Sequence, residues 1–150
     1  MKWKEKMEKK DLPKIVEVPE KWKKIYGEGK MVIPAPKEVM KIMEKIPKGK
    51  VITVKEIREI LAKKHGVNIA CPLTTGIFIW IVANMAEEEK KNIPYWRTLK
   101  SNGQLNEKYP GGVDKQREKL EEEGHKIVKK GKKYVVVDYE KKLFIPTPFP

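Results

Sequence analysis

One cysteine, Cys71, and two histidines, His65 and His125, are all that this 150-residue chain holds of sulfur and imidazole ligands. A lone cysteine excludes an internal disulfide and any zinc site built on several thiolates, and the histidines lie too far apart to show metal-ligand spacing. Neither a metal nor another cofactor is therefore expected. Long apolar runs are missing too. The longest, Ile77 to Met85, is far too short to span a bilayer. Met1 leads into a charged stretch, not an apolar one, so no signal peptide is expected and the expected compartment is the cytoplasm. Glutamine is scarce where lysine and glutamate abound, a balance that suits a thermophile.

Negative charge is the scarce sign: 21 acidic residues stand against 34 basic ones, a net +13. A field of that sign favours polyanions. The excess is uneven. Residues 1–50 hold 15 lysines and 8 acids, residues 90–133 hold 13 basic and 6 acidic residues, and the remaining stretches nearly cancel. With 39% hydrophobic residues the chain has enough apolar material for one modest core.

Patterning predicts a mainly helical protein with a small β-hairpin. Residues 1–35 read as a basic N-terminal extension with a short helix near Glu20 to Tyr26, either a solvated tail or a nucleic-acid-binding arm. Val39, Ile42, Met43 and Ile46 recur at helical spacing, so a helix is expected from Pro36 to Ile46. Thr53 with Glu56 three residues on forms a capping box for a helix reaching Lys64. Thr74 or Thr75 is expected to cap an all-round apolar, buried helix from Gly76 to about Lys90. Two consecutive helices joined by a loop fit a helix-turn-helix. A long irregular loop then spans Asn92 to Gly112, of the kind that usually carries function. Asp114 is expected to cap a helix from Lys115 to Glu123. Strands on either side of Gly131 make a hairpin whose tip carries Lys129, Lys130, Lys132 and Lys133. A hairpin after a helix-turn-helix is a winged helix, expected over residues 36–145, with an extended tail over 146–150.

Residues 46–54, Ile-Pro-Lys-Gly-Lys-Val-Ile-Thr-Val, resemble the entry to the helix-turn-helix in the DNA-binding domain of O6-alkylguanine-DNA alkyltransferases. Residues 93–97, Ile-Pro-Tyr-Trp-Arg, are similar to that family's active-site Ile-Pro-Cys-His-Arg. Ser101-Asn102-Gly103, Tyr109-Pro110-Gly111-Gly112 and a helix ending in Glu123-Gly124 continue the likeness. In that family a thiolate takes an alkyl group from a flipped guanine. Here Tyr95 matches the thiol position and Trp96 the histidine that activates it. A phenol is mostly neutral near pH 7, and an indole has only an N–H to offer, so neither nucleophile nor base is present. The chain further resembles the alkyltransferase-like proteins, which lack the cysteine, bind alkylated guanine without repairing it and hand the site to other repair machinery. Two departures stand out: Val54 occupies the place of the tyrosine that displaces a phosphate during flipping, and Pro72 to Trp80 contains no arginine or lysine to fill the vacated stack.

The resemblance implies a monomeric, non-catalytic protein whose partners are double-stranded DNA, including duplexes with O6-alkylguanine, and repair proteins. Tyr95, Trp96, Arg97 and Tyr109 are expected at the base pocket. Tyr95 and Trp96 either stack on a base or fill the former pocket; Arg97 either reaches across the loop or DNA or makes a structural salt bridge. Expected DNA contacts are Thr53, Lys55, Thr75, Lys100, Ser101, Asn102, Lys108, Lys115, Lys129, Lys130, Lys132 and Lys133, the lysines as phosphate contacts that position without reading sequence. The alternative is an RNA- or protein-binding module on the same fold, separated from the first by whether one positive face runs past the loop at 94–112. An enzyme built on Cys71 and His65 is the third reading.

Overall fold

The computed structural model describes residues 2–146; the expected tail therefore lies outside the described residues from 147 onward. Three helices form the centre. α3 (Pro36–Glu44) begins with proline in its first turn, where the fixed φ suits a helix and the missing N–H has no bond to lose. It buries Val39, Ile42 and Met43, the spacing expected. α4 (Val54–His65) starts at the predicted capping box: the Thr53 N–H donates to Glu56 Oε1 at 2.9 Å and its hydroxyl to the same oxygen at 2.5 Å. Gly66 ends it in the left-handed conformation, φ +64°.

α5 (Pro72–Glu88) begins four residues earlier than expected. Cys71, not Thr74 or Thr75, is the capping residue: its Sγ accepts from the Thr74 N–H at 3.4 Å, and Pro72 opens the first turn. α5 packs across α3 and α4, and its buried residues Phe78, Ile79, Val82, Ala83 and Met85 join Ile42, Met43, Ile57 and Leu61 in the principal core. α6 (Gly112–Glu122) also starts early. Gly111, at φ +79°, is its N-cap, and Asp114 lies inside the first turn, where a carboxylate suits the helix dipole.

The N-terminal segment is no solvated tail. Its one-turn α1 (Trp3–Lys6), then β1 (Lys14–Glu17), α2 (Glu20–Tyr26) and β2 (Lys30–Ile33) are all ordered against the domain. β1 pairs antiparallel with β2, and β2 pairs parallel with β4 (Ile69–Ala70) in the loop between α4 and α5. Met7 and Val32 reach the principal core, and Val18 and Met31 pack with Cys71.

The long segment before α6 is not structureless either. A 3-10 turn at Tyr95–Arg97 leads into β5 (Thr98–Leu99), which pairs parallel with β3 (Ile52–Thr53), and a second turn covers Ser101–Gly103. The hairpin is β6 (Ile127–Lys130) and β7 (Lys133–Val136), with Lys130 opposite Lys133 across a two-residue turn. Gln104 bridges Val135, and the Leu105 N–H donates to the Tyr134 carbonyl at 3.0 Å, so the loop lies along the hairpin. A second core, of Val51, Leu99, Leu105, Leu120, Ile127 and Val136, holds hairpin and loop together. The fold is a winged helix-turn-helix. Among the described residues no helix is long and apolar enough to cross a membrane.

His125 follows α6 in a buried position, and neither ring nitrogen has a hydrogen-bond partner among the described residues. Burial, with Lys142 and Arg97 adding to it against the pull of Glu123, lowers its pKa below the usual 6.5. The unfolded chain therefore binds this proton more readily than the folded one, and stability falls as pH drops from about 6.5 toward the folded-state value. Thermal melts between pH 8 and 5 should show that decline, and His125→Leu should flatten it. An unchanged slope in the variant would mean that another group titrates.

Candidate nucleic-acid interface

The residues expected at a base pocket do come together, but as a packed cluster. Tyr95 lies edge-on to Trp96, ring centres 5.3 Å apart, and edge-on to Tyr109 at 5.4 Å. Such T-shaped contacts set a ring edge against the electron-rich face of its neighbour. Tyr95 and Tyr109 retain 2% and 3% of their exposure, so the trio fills its space rather than lining an open one. The Tyr109 hydroxyl donates to the Thr98 carbonyl at 2.7 Å, and burial raises its pKa. Burial, and the nearby Glu87 carboxylate against Lys115, also raise the Tyr95 phenol above its ordinary value.

Arg97 is held by protein groups on three sides. Its Nε and Nη2 donate to the Glu123 carboxylate, at 3.0 and 2.6 Å, and its Nη1 donates to the Ile46 carbonyl at 2.7 Å. The guanidinium also lies over the Trp96 ring, 5.4 Å from its centre. Burial opposes ionisation of Glu123, but the hydrogen bonds and charge of Arg97, with smaller contributions from Trp96 and His125, together hold that carboxyl below the usual range. Of the two expectations for Arg97, the structural salt bridge is the one observed.

Beside this cluster an open groove of about 510 Å³ runs between α5 and the following loop. Its helix wall is apolar: Leu73, Ile77 and Trp80, with Val54 from α4. The opposite wall is polar and carries Lys100, Ser101, Asn102 and Lys108. Sequence patterning missed the groove because an all-round apolar helix implies burial on every side. Instead Leu73 is 60% exposed, and Ile77 and Trp80 are partly so. Their i, i+4, i+7 spacing was the available signal.

The other expected contacts divide. Ser101, Asn102, Lys108, Lys55 and the four hairpin lysines are exposed. Lys100 pairs with Glu107 at 3.3 Å, and Lys133 also acts on that carboxylate, which brings one hairpin lysine beside the loop. Lys115 is engaged with Glu87. Thr53 and Thr75 need correction as DNA contacts: both side chains are buried, Thr53 in the α4 cap and Thr75 on the core side of α5. Cys71 and His65 do not form a nucleophile–base pair. Cys71 Sγ meets Thr74 Oγ1 at 3.1 Å, while His65 Nε2 lies 2.7 Å from Glu38 Oε2.

The family model of the 6-O-methylguanine DNA methyltransferase DNA-binding domain matches residues 34–125, well over half of the chain. The chain belongs to this family. Two crystal structures share its fold, each 23% identical over 74% of this chain and 94% of theirs. One is S. pombe Atl1 in complex with damaged DNA containing O6-carboxymethylguanine, at a TM-score of 0.52; the other is S. pombe ATL in complex with DNA, at 0.53. No curated protein sequence matches the chain. Within the family domain lie α3 to α6, the aromatic trio and both walls of the groove, whereas the hairpin and the N-terminal sheet strands β1 and β2 fall outside it.

Proposed function

We propose that this protein binds duplex DNA and recognises O6-alkylguanine in it without transferring the alkyl group. The observation that carries the second half is Tyr95, at the position of the family's acceptor thiol, buried and raised in pKa. A neutral, enclosed phenol is a poor nucleophile, and Trp96 beside it offers no base. DNA binding draws on the family domain and on the arrangement of charge: Lys100 and Lys108 on the groove wall lead to Lys133 and Lys130 on the hairpin. That continuity favours a phosphate backbone over a protein partner. The apolar wall of the groove suits an alkyl substituent, and its polar wall suits a base edge. Repair proteins that act after recognition complete the proposed role.

The test is a salt series on two duplexes, one with a single O6-methylguanine and one unmodified, with the mass of the protein measured after incubation. Tighter binding to the modified duplex with no added methyl is expected. A mass gain of one methyl would overturn the non-catalytic reading. Equal affinity would remove lesion recognition and leave a general DNA-binding domain. Absence of binding to both would end the DNA assignment.

A further inference from the structure

Arg58 is an arginine without a carboxylate. It sits half-buried on α4, and among the described residues its one hydrogen bond runs from Nη1 to the Tyr26 hydroxyl at 3.2 Å. Its guanidinium lies 5.8 Å from the centre of the Tyr26 ring. Nε is buried and has no acceptor. Nη2 donates to no protein group either and is the nitrogen left open. Nε and Nη2 form one edge of the fork that grips two oxygens of a carboxylate or a phosphate. An unmet donor of this kind in a folded protein calls for an explanation, and a ligand is one. The charge pattern of α4 asks the same question. Lys55 stands three residues before Arg58, on the same face of the helix. Like charges at that spacing repel, and a lysine in the first turn opposes the helix dipole. Glu59 follows Lys55 by four residues, the less favourable order for an ion pair along a helix.

Both cations line a cavity of about 260 Å³ between α2, α4 and β4. Asn68 brings a further donor to it. Its Oδ1 accepts from the Lys30 N–H at 2.9 Å, which orients the amide and leaves Nδ2 for another partner. Gly29 permits that approach, since a β-carbon there would collide with Oδ1. The Tyr26 oxygen accepts from Arg58, so its own proton is available to a ligand. Ala62, Ile69 and Ala70 supply the apolar part of the lining, and Glu59 is the one carboxylate among the described lining residues. Tyr26 and Lys30 precede the family domain, which begins at residue 34, whereas Lys55, Arg58 and Asn68 lie within it. The cavity is therefore made where the N-terminal segment folds onto α4. From this convergence of donors we infer that the cavity is a binding site for the phosphate of a nucleotide. Two cations and two neutral donors approach from different elements, which suits the several oxygens of a phosphate better than the two of a carboxylate. The apolar lining and the Tyr26 ring leave a place for sugar or base. Two sources present the same phosphate chemistry. One is a free mononucleotide. The other is the backbone of a DNA strand passing over the start of α4, where Val54 lines the groove and Lys55 this cavity. The site goes beyond the recognition of O6-alkylguanine and does not depend on it.

The experiment titrates the full chain in a calorimeter with thymidine 5′-monophosphate, with inorganic phosphate and with thymidine, all at one ionic strength. Wild type should bind the nucleotide at a single site, inorganic phosphate more weakly, and thymidine not at all. Arg58→Gln should weaken the nucleotide about tenfold, in line with the loss of a charge-assisted hydrogen bond. Tyr26→Phe keeps the ring, loses the hydroxyl and should weaken it several-fold. Lys91→Gln removes an exposed charge beyond the far end of α5 from Ala70 and should change nothing. Thermal midpoints should stay near that of wild type, because Arg58 has only its bond to Tyr26 to lose. A short unmodified duplex added to the nucleotide-bound protein separates the two sources. Displacement of the nucleotide assigns the site to a backbone phosphate, and a nucleotide that stays bound assigns it to a free nucleotide. Absence of saturable binding of both nucleotide and inorganic phosphate by wild type would overturn the site. So would equal losses in Arg58→Gln and Lys91→Gln, which would mean only a general attraction of anions to a basic protein.

Discussion

Arg97→Ala should lower the unfolding free energy by about 3–5 kcal/mol, the usual cost of removing one partner from a buried ion pair. The pair meets the condition: Arg97 and Glu123 keep 14% and 8% of their side-chain exposure, and the guanidinium grips the carboxylate with two nitrogens. Truncation leaves the Glu123 charge and the Ile46 carbonyl without their donor in a space that water does not readily reach. It also cuts the tie between the 3-10 turn at Tyr95–Arg97, the end of α3 and the end of α6. For a chain of this size the midpoint should fall by on the order of 10 °C. Arg97→Lys should recover only part of the loss, because an ammonium cannot reproduce the fork that spans two carboxylate oxygens. The double variant Arg97→Met with Glu123→Leu should be more stable than Arg97→Ala, since it leaves no unpaired charge behind. Urea unfolding of the four proteins decides the matter. A loss below about 1 kcal/mol in Arg97→Ala, the range of exposed pairs, would mean that the pair is solvated in solution. The pH dependence follows from the lowered pKa of Glu123: the pair's contribution is present above the ordinary carboxylate range and is lost as pH falls through the folded-state value.

That pair also marks where sequence reading stops. The capping box at Thr53 and Glu56 was legible because both partners lie within one turn, and their geometry follows from local spacing. The helix-turn-helix and the hairpin were legible for the same reason, through apolar periodicity and the glycine turn. Arg97 and Glu123 are 26 residues apart, on a turn and a helix end, and nothing local brings them together. The start of α5 was misplaced because threonine is the stronger capping residue by propensity, whereas Cys71 precedes a proline that suits the first turn. The N-terminal strands escaped notice because each has four residues, and partners in β2 and β4 supply what a lysine-rich segment cannot. Tertiary context overrides composition there. At the candidate site, residue identities put Tyr95 and Trp96 where the resemblance implies a nucleophile and its base. Only packing could show that Tyr95 and Tyr109 close their own pocket and that the open groove lies next to them.

Replacing Lys130, Lys132 and Lys133 together with glutamine should reduce the salt dependence of DNA binding by about 2–3 in the log–log slope, at close to 0.9 for each phosphate contact. Near 0.1 M salt the same contacts are worth roughly two to three orders of magnitude in affinity. The hairpin register selects these three. Lys130 and Lys133 are paired across the turn, so their side chains share one face, and Lys132 stands at the tip between them. The loop that carries Lys100 and Glu107 lies along β7 through the Gln104–Val135 bridge, and Lys133 contributes to the lowered pKa of Glu107, so the proposed footprint runs from the groove onto this face. Lys129 is opposite Tyr134 on the other face, with its ammonium 6.0 Å from that ring. A duplex seated in the groove meets one face of the hairpin, not both. Lys129→Gln should therefore change the slope by a few tenths at most. Fluorescence anisotropy of a labelled duplex at five or six salt concentrations distinguishes the two sets. If Lys129→Gln costs as much slope as each of the other three, the hairpin enters the duplex end-on, and the groove and hairpin do not share one footprint. If the triple variant keeps the wild-type slope, the counterions are released elsewhere. The basic residues near α4, Lys55 and Arg58, would then be the next to neutralise.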